Sequence, residues 1–526
     1  MSNTFHFLGE PLLEFGHGQT AEDPHDGLAL FGPAEAKQQL PDNIVLGTAS
    51  GIEAWKNWCA ALNAPASCID PARHRAWPPF PGFDVAFGAK WPSPIRSYAI
   101  DAAKLSDASR KADKHDRAFA VTGLYMEQVE KLGKLDSRPA LAICVVPDEV
   151  FENCRPNSII PLSKRSDAGR SRYERSFLEQ AIVDRDTGQQ GMFDDFEDAA
   201  VTAVRETLET FEESRSYSPD FRRQLKGRLM GLDLPVQIIK ESTLHITPKV
   251  RLGEKGENPL SDRLWNFGTA IYYKCGAKPW KTPWAREGVC YVGLAYKLAE
   301  NKRTACCAAQ MFLDSGDGVV FVGEFGAWYS AKTGEYHLPP EKAEALLRGT
   351  IETYQEQDGR PLKEIFLHTH SGVSPEEYKG FLKAVPEGVK LISIRVRQDR
   401  GGQRLYRYDD HPDVGKRGQY PVQRGVFWQR TNRHGLLYTN GFKARIASYD
   451  GFEIPVPLSI TIQFGEGDIV QVAKDILGLT KLNYNSCQLG EGRPITIKYS
   501  DRVGEIILAN PGLPQTSWKH NFKYYA

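Results

Sequence analysis

The sequence predicts an α/β protein in two lobes, and three observations carry that expectation. Residues 40–280 alternate short apolar runs with helical ones, which implies a mostly parallel sheet covered by helices. From 288 onward, three strand-like runs precede an alternation of helix, strand, helix and strand. Between them, Pro279-Trp-Lys-Thr-Pro-Trp284 reads as a hinge. Taken in order, residues 1–33 carry Gly and Pro punctuation and read as an extended entry segment. Asn43-Ile-Val-Leu-Gly, Ala140-Leu-Ala-Ile-Cys-Val-Val-Pro and Pro235-Val-Gln-Ile-Ile are apolar strand candidates, the last following a helix over 217–231. The polar stretch 163–200, with its charge runs, reads as a loop insertion. In the second half, Gly288-Val-Cys-Tyr-Val-Gly-Leu-Ala-Tyr-Lys297 is a central strand candidate. Gly318-Val-Val-Phe-Val-Gly-Glu is a further strand, and 340–357 a helix. Ile365-Phe-Leu-His-Thr-His-Ser-Gly-Val-Ser374 runs as a strand into a helix beginning near Pro375. A last strand covers Val389–Val396.

Bulk properties exclude several classes. With 526 residues, 41% hydrophobic and 25% charged, the chain has the make-up of a globular protein of two to four domains. No apolar run approaches the roughly 20 residues of a membrane span, and no signal peptide is evident, so the cytoplasm is the expected compartment. Nine cysteines scattered over this length do not suggest a disulfide framework. The 66 basic and 66 acidic residues balance, where a nucleic-acid binder often shows a basic excess. Segregation of the basic residues would reconcile the two. Over 393–445, Arg395, Arg397, Arg400, Arg404, Arg407, Lys416, Arg417, Arg424, Arg430, Arg433, Lys443 and Arg445 interleave with Tyr406, Tyr420, Trp428 and Tyr438. Such a stripe suits phosphates and bases; a solvated, salt-bridged surface is the alternative.

The order of elements after 288 is that of an RNase H-like nuclease, in which two of these strands would each present a carboxylate near the end. Two divalent ions about 4 Å apart need several such groups. Here the first position is Ala295 and the second Ser371, and neither binds a hard cation as a carboxylate does. Asp501, in Lys498-Tyr-Ser-Asp501, stands at a further acid position, and one carboxylate does not assemble a two-metal site. Glu335, Glu341 and Glu344 are candidate substitutes discounted as ordinary helix-surface acids. His368 and His370, at alternate positions, offer at most two ligands of a metal site. Cys306-Cys307 reads as core packing and Gly316-Asp-Gly318 as a hairpin turn.

Several segments in one order make a more specific pattern: Glu10-Pro-Leu-Leu-Glu-Phe-Gly-His-Gly, Asp26-Gly-Leu-Ala-Leu-Phe-Gly-Pro33, Phe221-Arg-Arg-Gln-Leu-Lys-Gly-Arg-Leu, Tyr272-Tyr-Lys-Cys-Gly-Ala-Lys-Pro-Trp280, Ala305-Cys-Cys-Ala-Ala-Gln-Met-Phe-Leu313, Leu479-Thr-Lys-Leu-Asn-Tyr-Asn485 and Phe522-Lys-Tyr-Tyr-Ala526. On these the chain resembles a short prokaryotic Argonaute, with a Rossmann-like MID domain and an RNase H-like PIWI domain. The resemblance implies domains at 1–39 (an N-terminal segment packing with PIWI), 40–280 (MID) and 281–526 (PIWI). It implies binding of a 5′-phosphorylated short guide, with RNA the expected kind, and recognition of complementary single-stranded DNA. It also implies an associated APAZ-domain effector (TIR, sirtuin-like or nuclease) and a defence role against plasmids or phage. A higher oligomer on activation belongs to the same picture.

The residues of a guide-end pocket follow from local spacing and from that resemblance. Arg222 and Lys226 lie one turn apart on a helix face, Gln237 follows in the next strand, Thr243 in the turn beyond, and Lys274 ends a later helix. This order is similar to the family's phosphate motif, with Arg222 where Tyr is common and Ala270 where some members carry another lysine. The resemblance also implies that Ala526 helps hold a Mg2+ ion near the guide phosphate. Lys481, Asn483 and Asn485, with Arg424, Arg430 and Arg433, are implied contacts to the guide or target backbone, and Gly425, Gly441 and Phe442 line the same channel. Two other readings remain open: a scaffold that binds no guide, and a guided nuclease using unconventional acids.

Overall fold

The computed structural model describes residues 4–68, 71, 74–134, 138–166, 212–246, 258–298, 305–312, 318–321, 326–358, 360–399, 401–408, 418–449, 451, 453–510 and 518–526. Most of the expected loop insertion at 163–200, the hairpin turn at 316–317 and the side chains of Cys306 and Cys307 lie outside them. The fold is α/β, built on one nine-stranded and one four-stranded sheet.

The chain enters through β1 (Thr4–Phe7), an edge strand of the larger sheet, and then α1 (Pro24–Phe31). The smaller sheet consists of β2 (Asn43–Gly47), β3 (Arg96–Ala99), β4 (Leu141–Val146) and β5 (Val236–Lys240), in the order β3-β2-β4-β5 and parallel throughout. Strands β2 and β4 are buried along their whole length because helices cover both faces. Those helices are α2 (Ala49–Leu62), α3 (Lys114–Glu130), the short α4 (Asp148–Asn153), α5 (Phe221–Met230) and α6 (Leu260–Lys274). The expected helix at 217–231 begins only at Phe221, because the side chain of Asp220 accepts from the amides of Arg222 and Arg223 and caps it there.

The larger sheet adds β6 (Val289–Leu298), β7 (Ala305–Phe312), β8 (Gly318–Phe321), β9 (Glu364–Thr369), β10 (Lys390–Gln398), β11 (Val426–Gln429), β12 (His434–Leu437) and β13 (Leu458–Phe464). Its order is β1-β11-β12-β13-β10-β9-β6-β7-β8. Only β6, β9 and β10 run parallel, at its centre; the flanking pairs are antiparallel. Helices α7 (Pro340–Asp358) and α8 (Pro375–Ala384) make the two crossovers, and α8 opens with a full capping box from Ser374 and Glu377. Two helices follow, α9 (Ile469–Leu479) and α10 (Ile495–Ile507). Helix α10 lies so close on β6 that a Cβ added at Gly293 would stand 1.9 Å from the Thr496 carbonyl oxygen.

The segment read as a hinge is anchored by Trp280. Trp280 is fully buried and its indole N–H donates to the Lys481 carbonyl, while Tyr484 Oη donates back to the Trp280 carbonyl. The entry segment touches both lobes: β1 pairs with β11, and the Tyr272 hydroxyl of α6 donates to the Glu35 carbonyl at 2.5 Å.

Candidate nucleic-acid site

Where β5, α5, α6 and α10 converge on the last residues of the chain, a cavity of about 350 Å³ opens. Arg222, Lys226, Gln237, Lys274 and Ala526, distant in sequence, all line it. So does Asn485 from the turn after α9. Lys226 Nζ donates to the Ala526 carbonyl oxygen at 2.5 Å and to that of Tyr525 at 3.2 Å. Lys274 Nζ donates to Gln237 Oε1 at 2.6 Å and to the Val236 carbonyl at 3.0 Å. Asp220 holds the Arg222 guanidinium through both its oxygens, at 3.3 and 3.0 Å, and so fixes its plane. Ala526 itself is buried, secured by Tyr525, whose hydroxyl donates to the Lys519 carbonyl.

The electrostatics are those of a pre-assembled anion site. Burial, and then the nearby Arg502 and Arg222, depress the Lys226 ammonium to about 7. Burial, with Lys226 and Arg502 beside it, pushes Lys274 well below the ordinary lysine value. Like charges buried together disfavour one another until an anion arrives. Among the cavity's lining residues the one acid is Glu505, and it is engaged by Arg223 at 2.9 Å and Lys297 at 3.5 Å.

Local spacing missed part of this site. Arg502 and Phe151 line it, and Phe151 carries Arg222 at 5.2 Å and Lys240 at 5.3 Å from its ring centroid. Arg502 is remote in sequence from Lys226, and only the packing of α10 beside α5 brings them together. Thr243 does not line the cavity: it sits in a 3-10 turn packed on α2, and its carbonyl accepts from Arg263.

The expected Mg2+ is tested by its donors. A hard dication needs several oxygen ligands. Of the oxygens lining the cavity, those of Ala526 and Gln237 each accept from an ammonium group, and the Glu505 carboxylate is engaged by Arg223 and Lys297. A Mg2+ ion here would compete with these cations for the same oxygens.

The expected backbone contacts divide sharply. Lys481 is buried, with Nζ 2.9 Å from Glu10 Oε1 and 2.6 Å from the Glu22 carbonyl. Arg424 is buried against the same Glu10 at 2.9 Å and donates to Thr480 Oγ1. Both cations are therefore spent on the entry segment. Asn483 is buried in bonds to Ser486, Glu491 and Tyr499. Arg433 donates to the carbonyls of Ile462 and Gly465, and Arg430 lies over the Trp428 ring at 4.4 Å. In the rest of the basic stripe, Arg445 pairs with Asp26 and Arg407 covers the Phe442 ring at 3.6 Å. Arg400, Lys416 and Arg417 lie outside the described residues.

Ala295 is buried in β6 opposite Ala308 of β7, and the Ser371 carbonyl accepts from Thr369 Oγ1. Asp501 pairs with Lys297 at 3.0 Å. Glu335 is not a helix-surface acid: it lies on a short strand, pairs with Arg395 and accepts from the Gly372 amide. His368 is buried, bonded through Nδ1 to Thr496 Oγ1, and burial lowers it to about 3, whereas His370 lies beyond the strand and is exposed. They form no ligand pair, and among the described residues no group of three or more His, Cys, Asp or Glu could hold a metal. Among the described residues no helix is long and apolar enough to cross a membrane.

No protein-family model and no curated protein matches the sequence. Solved structures do match in fold. The Argonaute of Clostridium butyricum, bound to a guide DNA and a 19-mer target DNA, is similar with a TM-score of 0.57 at 16% identity, over 97% of this chain and 53% of that one. Drosophila Piwi is similar with a TM-score of 0.57 at 12% identity, over 99% and 56%. Aa-Ago with externally bound siRNA gives 0.52 at 15% identity, over 97% and 54%. The chain thus has the two-lobed α/β fold of the Argonaute and Piwi proteins and spans about half the length of these relatives.

Proposed function

We propose that this chain is a guide-binding protein without nuclease activity, holding the 5′-phosphorylated end of a short nucleic acid in the cavity around Lys226 and Lys274. The observation that carries the reading is the convergence of Arg222, Lys226, Gln237, Lys274, Arg502 and Asn485 on one pocket. Charge-assisted donors around a single point are what a terminal phosphate requires. The fold adds weight, since the Clostridium butyricum relative is bound to a guide and a target. RNA is the proposed guide and complementary single-stranded DNA the proposed target. Pairing between the strands then supplies sequence specificity.

Absence of cutting is part of the same proposal, supported by Ala295 and Ser371 at the two strand ends and by Lys297 on Asp501. Target recognition is then reported to an associated effector, for which an APAZ-domain protein of TIR, sirtuin-like or nuclease type is the proposed partner, in defence against plasmids or phage.

The test is to express the chain with its genomic neighbour and sequence whatever nucleic acid co-purifies. Short 5′-phosphorylated strands of narrow length, lost in a Lys226→Met, Lys274→Met variant that still folds, would support the reading. Wild-type protein that binds no guide at low salt would sink it. Incubation of the loaded protein with a matched target and Mg2+ or Mn2+ should leave the target intact.

A further inference from the structure

A second and larger cavity, about 520 Å³, lies at the carboxyl ends of β9 and β10 beneath the start of α10. In an α/β sheet this is where ligands bind. Its position is set by the sheet: Thr369 of β9 pairs with Leu294 of β6, so Ala295 and His370 leave the parallel pair at the same level. Arg397, from the end of β10, and Arg493, just before α10, both line it and are exposed. No ion pair holds either of them among the described residues. Arg395, two residues earlier on β10, is by contrast engaged by Glu335. The acids of the cavity are partly spoken for. Asp501 is paired with Lys297 at 3.0 Å, and Asp399 accepts from the Gly401 amide at 3.1 Å. The N-terminal turn of α10 opens on the cavity through Pro494 and Ile497, with no side chain capping it. The helix dipole adds to the pull on an anion.

We propose that this cavity binds a phosphodiester of the nucleic acid paired to the guide, held by Arg397 and Arg493 and requiring no metal ion. This rests on the guide-binding reading above. Where the carboxylates of a two-metal site would recruit cations to meet that phosphate, Ala295 and Ser371 recruit none, and two guanidinium groups, unpaired among the described residues, supply the positive charge. The site grips the strand and leaves it whole, because nothing in it generates a nucleophile.

The experiment uses the full chain loaded with a 5′-phosphorylated guide and a fluorescent complementary DNA strand, in EDTA. Wild type should bind the target fully in EDTA. The Arg397→Ala, Arg493→Ala double variant should load guide normally and lose about tenfold in target affinity per arginine, with a shallower salt dependence. Scanning the target with single uncharged methylphosphonate linkages should reveal one position that weakens wild-type binding and leaves the double variant unaffected. Target affinity unchanged in the double variant, no sensitive linkage, or wild-type binding abolished by EDTA would each overturn the proposal while guide loading stands. Failure of wild type to load guide would instead overturn the reading beneath it.

Discussion

At the scale of single residues, three buried titratable groups set pH behaviour. Lys226 is depressed to about 7, mainly by burial. Between that value and an ordinary lysine's, the unfolded chain holds a proton that the ligand-free fold does not, so this group makes the unliganded fold more stable as pH rises over that window. A bound phosphate restores the charge, so binding takes up a proton. Affinity for a 5′-phosphorylated strand should therefore fall as pH rises above 7, and Lys226→Met should bind weakly with a flatter profile in titrations from pH 6.5 to 9. The other two, His25 and Asp23, are a pair, 2.7 Å apart and buried. Burial opposes both charges, yet the imidazolium holds Asp23 at about 2, and Cys487 and then the Asp23 carboxylate hold His25 well above its ordinary value. Asp23's contribution to stability is present above the unfolded carboxylate range and lost as pH falls through about 2; that of His25 is full below its unfolded value and lost as pH rises through its raised one. His25→Asn should cost about 3 kcal/mol near neutrality by chemical denaturation, because it strands a buried carboxylate.

Elements impose a different kind of constraint. Glu10 lies on the entry segment and neutralises Arg424 and Lys481, which are buried on separate parts of the second half. Glu10→Ala should lower stability by about 3–5 kcal/mol, since it leaves two buried cations unpaired. Lys481→Met should recover part of that loss in the double variant. A role for Lys481 in holding phosphate predicts no such rescue, so a double-mutant cycle read by urea unfolding separates the two. Helix α10 depends on close backbone approach to β6: Gly293→Ala should cost about 1–3 kcal/mol through overpacking. Because α10 also carries Arg502 and the cap of the larger cavity, the same variant should weaken nucleic-acid binding.

The whole molecule has no net charge, yet its cations are concentrated where they are useful. Arg222, Arg223, Lys226, Lys274 and Arg502 share one cavity whose single acid is already paired. Anion affinity is therefore local and does not need a basic chain. A 5′-hydroxyl strand should bind about 100-fold more weakly than its 5′-phosphorylated counterpart, with a shallower dependence on salt; equal affinities in a filter-binding assay would remove the pocket from the account.

The sequence by itself determined the class of fold and much of the first site. Largely apolar runs such as Asn43–Gly47 and Ile365–Thr369 became strands at the expected positions, because a strand buried on both faces is mostly apolar. Arg222, Lys226, Gln237 and Lys274 were legible through the resemblance, whose motif gives their order along the chain, and not through the spacing of Arg222 and Lys226 alone. What only the tertiary structure decided is which cations are free. Lys481 and Arg424 look like phosphate contacts in a linear reading, and Arg397 like one more member of a stripe. Long-range packing gives the first two to Glu10, hundreds of residues away, and leaves Arg397 beside Arg493. A cation's availability is set by its neighbours in space, and those neighbours have no fixed spacing along the chain.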